Sequence, residues 1–450
     1  MAAELLSIER LRCALRGPVL APDDWGYDRA RATFNAMIDR RPAAIAWCAG
    51  IDDVVAAVDF AGRAGLPVAI RGGGHSVAGH AVCDGGLMID LRLMHQVRVD
   101  PESRRLWVGG GATWRDVDTP CAAHRLAIPG GTVDTTGVAG LTLGGGIGYL
   151  IGLHGLTLDN LASAEVALAD GSVVTASESA HADLFWALRG GGGNFGVVTE
   201  FEFVLHPLPA VWGGWISFAQ PHLGDAVRLF RDVMESAPDE LTLMVTLVDG
   251  EADVLVCFAG DAAAGEESVG PLREQLPVLR DQLGLTSYLQ IQAMLGEVPF
   301  GSRNYWKSHF VRALPDDLID EIVEHYLAHP PDGEDEILIE PMHGAARRVP
   351  PDATAFSRRD PRFNVSGMAG WDNAPRDDEH IGWARGTAAV VASHSASAGG
   401  YLNYGAPDEP IERVRAAYGD STFERLRHIK QRYDPNNMFR FNHNIPPAEV

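Results

Sequence analysis

RGGGHSVAGH occupies residues 71–80. Three consecutive glycines stand directly before a histidine, and a second histidine follows five residues on. Glycine is costly to order, so such a run points to a backbone that something approaches closely. The preceding LPVAI reads as a short β-strand, which makes the glycines the turn that leaves it. Four roles fit such a turn: cradling a phosphate, carrying a nucleophilic serine, holding a metal, or only turning tightly.

Each role makes a different demand on the surrounding residues. Successive N–H groups of a glycine turn form a concavity for anions, and Arg71 adds charge beside it. GHSVAG approximates the G-x-S-x-G elbow, with Ala78 in place of the last glycine. An elbow serine must lead into a supporting helix. After Ser76, however, VAGHAVCDGGLMIDL is broken by Gly79, Gly85 and Gly86. His75 and His80 are five apart, which is not a one-face helical pair, and no carboxylate–histidine cluster lies near them, so no metal is expected. GGGNFG at 191–196 satisfies G-x-G-x-x-G formally, but a strand-like VVTEFEFVL follows it where a dinucleotide fingerprint needs a helix.

Outward from this turn, the first 210 residues alternate glycine clusters with short β-like runs: GLMIDL, RLWVGG, AEVALADGSVVTA and FGVVTEFEFVL. IDDVVAAVDFAGRAG predicts a helix capped by Asp52 or Asp53, with Val54, Val55, Val58 and Ala61 on one face. MAAELLSIERLRCALRG predicts a short amphipathic helix and lacks the apolar stretch of a secretory signal. After HPLPAVWGG the texture changes. TLMVTLVD, ADVLVCFAG, DEILIEPMHG and RFNVSGMAGW read as strands. LPDDLIDEIVEHYLAH and DDEHIGWARGTAAVVASHSAS read as helices between them, which predicts a large antiparallel sheet covered on one face. Residues 407–432 read as helical, and YDPNNMFRFNHNIPP as turns. The fold class is α+β.

Length and charge narrow the function. A chain of 450 residues calls for more than one core. A net charge of −23, with lysine only at Lys307 and Lys430, argues against nucleic-acid or anionic-lipid partners. No apolar run reaches membrane-span length. Cys13, Cys48, Cys83, Cys121 and Cys257 form no framework spacing, so a reducing, cytoplasmic setting is expected. Nothing in the sequence sets an oligomeric state.

The residues that remain are several glycine-rich turns in one α+β region, able to converge on one extended polar ligand. RGGGHS, then GGTVDTTGVAGLTLGGGIGYLIGLHGLTLDNL, DLFWALRGGGGNFGVVTEFEF, YLNYG and YDPNNMFRFNHNIPP follow one another in that order. Together they resemble the FAD-linked oxidases of the vanillyl-alcohol oxidase/p-cresol methylhydroxylase superfamily, berberine-bridge-enzyme-like branch, over nearly the whole chain.

The resemblance implies a PCMH-type FAD-binding domain of two α+β subdomains over 1–210 (core about 38–208) and a substrate domain with a large antiparallel sheet over 211–400. It also implies a berberine-bridge-type segment over 401–450 that returns to the first domain. FAD is then expected along Arg71, Gly72, Gly73, Gly74, His75, Ser76, Gly79 and His80, and along Gly131, Thr132, Gly137, Val138, Gly140, Gly145, Gly146 and Gly148. Val197, Asn442 and Asn444 complete the expected cofactor contacts. His75 is the expected covalent 8α-histidyl attachment. Bicovalent relatives carry a second attachment cysteine where this chain has Val133, so one link is expected. Val138 falls where small aliphatic residues leave room for O₂.

The implied reaction is hydride transfer from an alcohol or amine carbon to flavin N5, with O₂ as acceptor and peroxide as product. The partners are a small-molecule substrate and O₂. Tyr401 is the first candidate base and Tyr404 the second; strand alternation would set Tyr401 and Asn403 on one face and Tyr404 on the other. Glu340 and His343, in LIEPMHG, are candidates on a strand expected to face the flavin. Lys307, by the resemblance, is expected near flavin or substrate, where a cation favours reduced flavin. Trp212, Trp215, Phe300, Trp306 and Trp371 point to a small, flat substrate. The competing functions are a serine hydrolase using Ser76 and a flavin-loaded binding protein without turnover.

Overall fold

The glycine turn at 72–74 leaves the end of a parallel strand, and that strand belongs to the first of three main sheets. The computed structural model describes residues 8–208, 210–296, 300–328, 335–395 and 399–449. The first seven residues of the N-terminal helix expectation, and residues 329, 396 and 397 of two later ones, lie outside the described residues.

The first sheet runs Val19–Leu20, Ala44–Trp47, Leu87–Asp90, Val68–Arg71; the last three are parallel and the first is an antiparallel edge. Helix Ile51–Ala64 makes the crossover between Ala44–Trp47 and Val68–Arg71. Its buried face is Val54, Ala57, Val58 and Ala61, and Gly65 ends it at φ 64. The expected aspartate cap is corrected: Gly50 holds the cap position. Buried Asp53 instead accepts the backbone N–H groups of Arg16, Gly17 and Ala49.

The second sheet is wholly antiparallel, in the order Val97–Asp100, Arg105–Gly109, Val197–Val204, Leu161–Ala167, Val173–Ser177. Its core receives the C-terminal helices Ile411–Tyr418 and Asp420–Tyr433 through Val414, Phe423, Leu426 and Ile429, which pack with Phe185 and Phe201. Lys430, fully buried, ties this return together: its ammonium donates to the Asn194 carbonyl at 2.6 Å, to Asp434 at 2.6 Å and to the Phe439 carbonyl at 3.1 Å. The GGGNFG loop and the tail are thus fixed to one cation.

The third sheet has eight antiparallel strands. Its main path is Val278–Asp281, Val211–Ala219, Glu251–Phe258, Leu241–Val248, Glu336–Pro341, Phe363–Trp371, Arg303–Val311. Strand alternation divides each of these strands. Leu243, Val245, Leu247, Ile337 and Ile339 turn to one face and pack against helices Leu223–Glu235, Asp316–Ala328 and Asp377–Ala392. Glu336, Leu338 and Glu340 alternate with them and turn to the other face, towards the glycine turns. Trp212 and Trp371 belong to the helix-side core, so these two expected substrate aromatics are packing residues.

Candidate functional site

A cavity of about 550 Å³ lies between the glycine turns and the open face of the eight-stranded sheet. One wall is backbone: Gly72, Gly73, Gly74 and Gly131, Thr132, Gly137, Gly140, joined by Gly190, Gly192 and Gly193. The facing wall is side chain, with Trp306, Leu338, Met368 and Tyr404. Such a size and mixture suit a small-molecule or cofactor site.

The glycines of the first wall are there because their loops touch. A Cβ on Gly73 would lie 2.5 Å from Gly137 Cα, and one on Gly137 would lie 2.5 Å from Gly73 N. Gly74 also has φ 74, a left-handed conformation that other residues adopt at a cost. Gly73→Ala should therefore push the two loops apart and destabilise the protein by about 1–3 kcal/mol. Thermal unfolding of the purified variant measures this, and an unchanged Tm would contradict the back-to-back packing.

FAD fits the residues that line this cavity. His75 Nε2, His80 Nε2 and Asn442 Oδ1 are enclosed polar atoms without a protein partner, and each belongs to a lining residue. Buried polar atoms normally have partners, so these point to a ligand. No Lys or Arg occurs among the described lining residues, so a diphosphate there would rest on glycine N–H groups.

His75 is held by aromatic stacking. Its ring lies on Phe34, with centroids 4.2 Å apart and planes 11° apart. Phe34 N–H donates to the Gly74 carbonyl at 3.1 Å, and Asn35 Nδ2 donates to the carbonyls of Val77 and Asn304, clamping this segment between loop and sheet. Burial lowers the His75 pKa to about 4, so the imidazole is neutral with a nitrogen lone pair available. His80 and His443 meet edge to face at 4.7 Å, and burial holds both below the usual histidine range.

The YLNYG motif is not a strand. It forms a 3₁₀ turn at Leu402–Tyr404, because Tyr401 N–H is taken by Ser308 Oγ on the sheet's edge strand. Strand alternation is therefore corrected: Tyr401, Asn403 and Tyr404 all line the cavity. The Tyr401 hydroxyl oxygen accepts from Gly146 N–H at 2.8 Å and from Asn403 Nδ2 at 2.9 Å. Tyr404 instead donates to Glu340 Oε1 at 3.0 Å, and Asn364 Nδ2 donates to Glu340 Oε2 at 2.8 Å. Glu340 is fully buried behind Tyr404, and burial, opposed by these two donors, raises its pKa to about 7. Burial and the neighbouring Glu340 carboxylate push Tyr404 well above the usual tyrosine range.

Several expected site residues do not line the cavity. Lys307 alternates away from Trp306 and pairs with Glu409 at 2.7 Å, which neutralises the cation proposed for the flavin. His343 lies against Gly152 and Thr242 Oγ1, with burial lowering its pKa to about 4. The Arg71 guanidinium turns back to the carbonyls of Ala30 and Ala32, a stronger draw than an exposed loop. Gly79 packs on Ile38 and Gly148 on the Gly130 carbonyl. Gly145 packs on Tyr401 and Phe356, while Gly146 is pressed against Thr157 and serves the site through Tyr401. Val138 is enclosed in helix Val138–Gly144, and its neighbour Ala139 lines the cavity instead. Gly196 and Val198 line it where Val197 was expected. Asn444 sits outside the lining with an unpartnered Oδ1.

Ser76 lines the cavity, but no helix follows it; the chain bends through Gly79 at φ 70 and reaches strand Leu87–Asp90. The elbow geometry is absent from this turn. Among the described residues, no group of three or more His, Cys, Asp or Glu side chains is placed to hold a metal ion, and no helix is long and apolar enough to cross a membrane. All five cysteines are free. Phe34, Asn35 and Met368 were not foreseen; single apolar or amide residues in charged or mixed segments carry no periodic signal.

The family model for an FAD binding domain matches residues 42–177, and that described as berberine and berberine like matches residues 400–446. The (R)-6-hydroxynicotine oxidase of Paenarthrobacter nicotinovorans is 31% identical over 456 residues, covering 96% of this chain and 97% of that protein. The xylooligosaccharide oxidase of Thermothelomyces thermophilus is 30% identical over 463 residues, covering 96% of this chain and 93% of that protein. The crystal structure of 6-hydroxy-D-nicotine oxidase from Arthrobacter nicotinovorans superposes with a TM-score of 0.89 at 30% identity, covering 96% of this chain and 98% of that one. By these similarities over nearly its whole length, the chain belongs to the FAD-linked oxidases of the vanillyl-alcohol oxidase/p-cresol methylhydroxylase superfamily, berberine-bridge-enzyme-like branch, and is an FAD-dependent oxidoreductase.

Proposed function

We propose that the protein is an oxidase whose FAD is bonded to His75 and which oxidises a small organic alcohol or amine at the expense of O₂. The carrying observation is that one cavity is lined by both the neutral His75 imidazole, with its unpartnered Nε2, and Tyr404, whose hydroxyl is backed by the buried Glu340. Residues 1–210 are read as the FAD-binding domain, 211–400 as the substrate domain, and 401–450 as the segment that closes back on the first. A single link is favoured because Val133 lines the cavity where a second attachment would stand, while Cys121 is buried in helix Trp114–Ala123. Relatives named for a hydroxynicotine and a xylooligosaccharide frame the substrate class. The free cysteines favour a cytoplasmic setting.

When bound, FAD would supply the two-electron chemistry that couples substrate oxidation to reduction of O₂ to peroxide. The chain supplies position and proton handling. With FAD along the glycine wall, Trp306, Leu338 and Met368 on the facing wall would cover the substrate and exclude water. Tyr404 Oη accepts the substrate O–H or N–H proton while passing its own to Glu340 Oε1, so one proton enters the pair and one moves inward. Tyr401, whose oxygen already accepts two N–H groups, serves as a donor towards the cavity. Trp306 meets Tyr404 edge-on at 5.8 Å and fixes its ring.

The pH dependence follows from Glu340. Its carboxyl titrates near 7 in the fold, and only the ionised form takes the Tyr404 proton. kcat/KM should rise through about pH 7, and Glu340→Gln should flatten that limb. For stability the sign is opposite. A carboxyl whose folded pKa is raised contributes fully below its unfolded value near 4.3, and that contribution is lost as pH rises through about 7. Steady-state rates and thermal unfolding across pH 5–9 test both signs. The function itself is tested by offering the purified, flavin-containing protein a panel of alcohols, amines and sugars. Flavin bleaching without air and peroxide release with air are expected from at least one compound. Flavin that no compound bleaches would favour a binding protein without turnover.

A further inference from the structure

Glu340 has a second hydrogen-bond partner besides Tyr404. Asn364, on strand Phe363–Trp371, stands directly opposite Glu340 in the pairing with strand Glu336–Pro341. Both side chains are fully buried, as is that of Ser366 on the same face of the strand. The Asn364 amide nitrogen, Nδ2, donates to Glu340 Oε2 at 2.8 Å and to Ser366 Oγ at 3.2 Å, so both of its hydrogens are used. Turned end for end, the amide would set Oδ1 against the ionised carboxylate, acceptor against acceptor. Oδ1 itself is enclosed without a hydrogen-bond partner. Burying an amide in this way costs free energy that an apolar residue would not, so its place here is explained by Glu340 rather than by packing.

Few other groups act on this carboxylate. The neighbouring strands Leu241–Val248 and Phe363–Trp371 contain no Asp, Glu, His, Cys, Tyr, Lys or Arg. On its own strand, Glu336 stands at the opposite end of the same face. Among the described residues, the titratable groups that feel the Glu340 charge are tyrosines: Tyr404 and Tyr401 from the turn, and Tyr149 from the chain before helix Ile151–His154. Of these, Tyr404 is hydrogen-bonded to it, at Oε1. The two oxygens are therefore divided, Oε1 to the tyrosine and Oε2 to the amide. Resting on the proton transfer proposed above, we propose that Asn364 is a positioning residue for that transfer: by donating to Oε2 it favours the ionised carboxylate and leaves Oε1 as the place where the Tyr404 proton lands. The O–H bond of Tyr404 breaks as that of Glu340 Oε1 forms, and the carboxyl stays held through Oε2 throughout. Ser366 acts through Asn364, by fixing which end of the amide faces Glu340.

Asn364→Leu is close in size and cannot donate. Loss of a donor disfavours the charged form, so the variant should ionise Glu340 at about pH 8 or above, against about 7 in the wild type. Two readouts follow the shift. In the flavin-containing protein without substrate, the carboxyl C=O band of infrared difference spectra, identified by its loss in Glu340→Gln, should titrate at the raised pH. With a compound that the panel shows to be oxidised, kcat/KM of Asn364→Leu should fall about tenfold below wild type near pH 6.5 and stay within about threefold near pH 9.5. Ser366→Ala should shift both readouts in the same direction by less. In the Glu340→Gln background, Asn364→Leu should move no pH limb. An unshifted band, or a loss of rate equal at both pH values, marks a purely structural role and overturns the proposal, as does a limb that moves without Glu340. Should Asn364→Leu not fold, Ser366→Ala carries the same test, and an unshifted band there overturns the proposal. Wild-type protein that holds flavin but oxidises no compound would instead refute the oxidase reading, since the band reports on Asn364 without any substrate.

Discussion

His75→Ala should abolish retention of flavin in the acid-precipitated protein, whereas the wild-type pellet should stay yellow and fluoresce. The expectation rests on where the ring stands. His75 is stacked on Phe34 at 4.2 Å, neutral, and has an enclosed nitrogen with no protein partner. Alanine removes the only atom proposed to bond the flavin but leaves the glycine cradle of Gly73 and Gly137 intact, so non-covalent FAD should still be found before precipitation. His80→Ala provides the contrast. His80 also lines the cavity with an unpartnered Nε2, yet it packs against His443 rather than on Phe34. It should keep its colour in the pellet. Colour retained by His75→Ala and lost from His80→Ala would move the attachment to the second histidine.

Tyr404→Phe should lower the rate of flavin reduction by about 10²–10⁴-fold, the usual worth of a positioned proton acceptor. Flavin content and acid-stable attachment should be unchanged, because Tyr404 faces the cavity from the side opposite His75's loop. The variant also strips Glu340 Oε1 of its donor, so the buried carboxyl should cost about 1–3 kcal/mol of stability. Tyr401→Phe should cost the reaction far less. Its hydroxyl is already engaged by Gly146 and Asn403, and it has no direct hydrogen bond to Glu340. Stopped-flow reduction without air, compared with reoxidation by O₂, separates the two variants; a larger defect in Tyr401→Phe would restore that residue as the base.

Where local pattern sets local structure, the sequence was legible. Helix Ile51–Ala64 and the strands around the glycine clusters follow from spacing that needs no distant partner. The sheet beyond residue 211 was legible for the same reason, since alternating apolar runs with intervening helices admit few arrangements. The strand after GGGNFG also correctly excluded a dinucleotide fingerprint.

The site was legible as loops but not as directions. Tyr404 meets Glu340 across 64 positions, and nothing local announces the pairing. Lys307 is drawn out of the cavity by Glu409, 102 positions later, and Arg71 by carbonyls about 40 positions earlier. YLNYG reads as a strand until Ser308 captures the Tyr401 N–H and coils the next residues into a 3₁₀ turn. In each case a tertiary hydrogen bond overrode a local preference. The exposed tip of the aromatic set behaved differently: Phe300 remains half-exposed, with its ring centre 6.4 Å from that of His75, while Trp212 and Trp371 pack inward.

The proposed oxidase depends on a bond between one imidazole and one flavin. Protease digestion of the purified wild-type protein followed by fragmentation mass spectrometry tests it most directly. The peptide containing His75 should carry the mass of FAD less two hydrogens, localised by fragmentation to that residue, with every cysteine peptide unmodified. An unmodified His75 peptide from protein that holds its full complement of flavin would contradict the account.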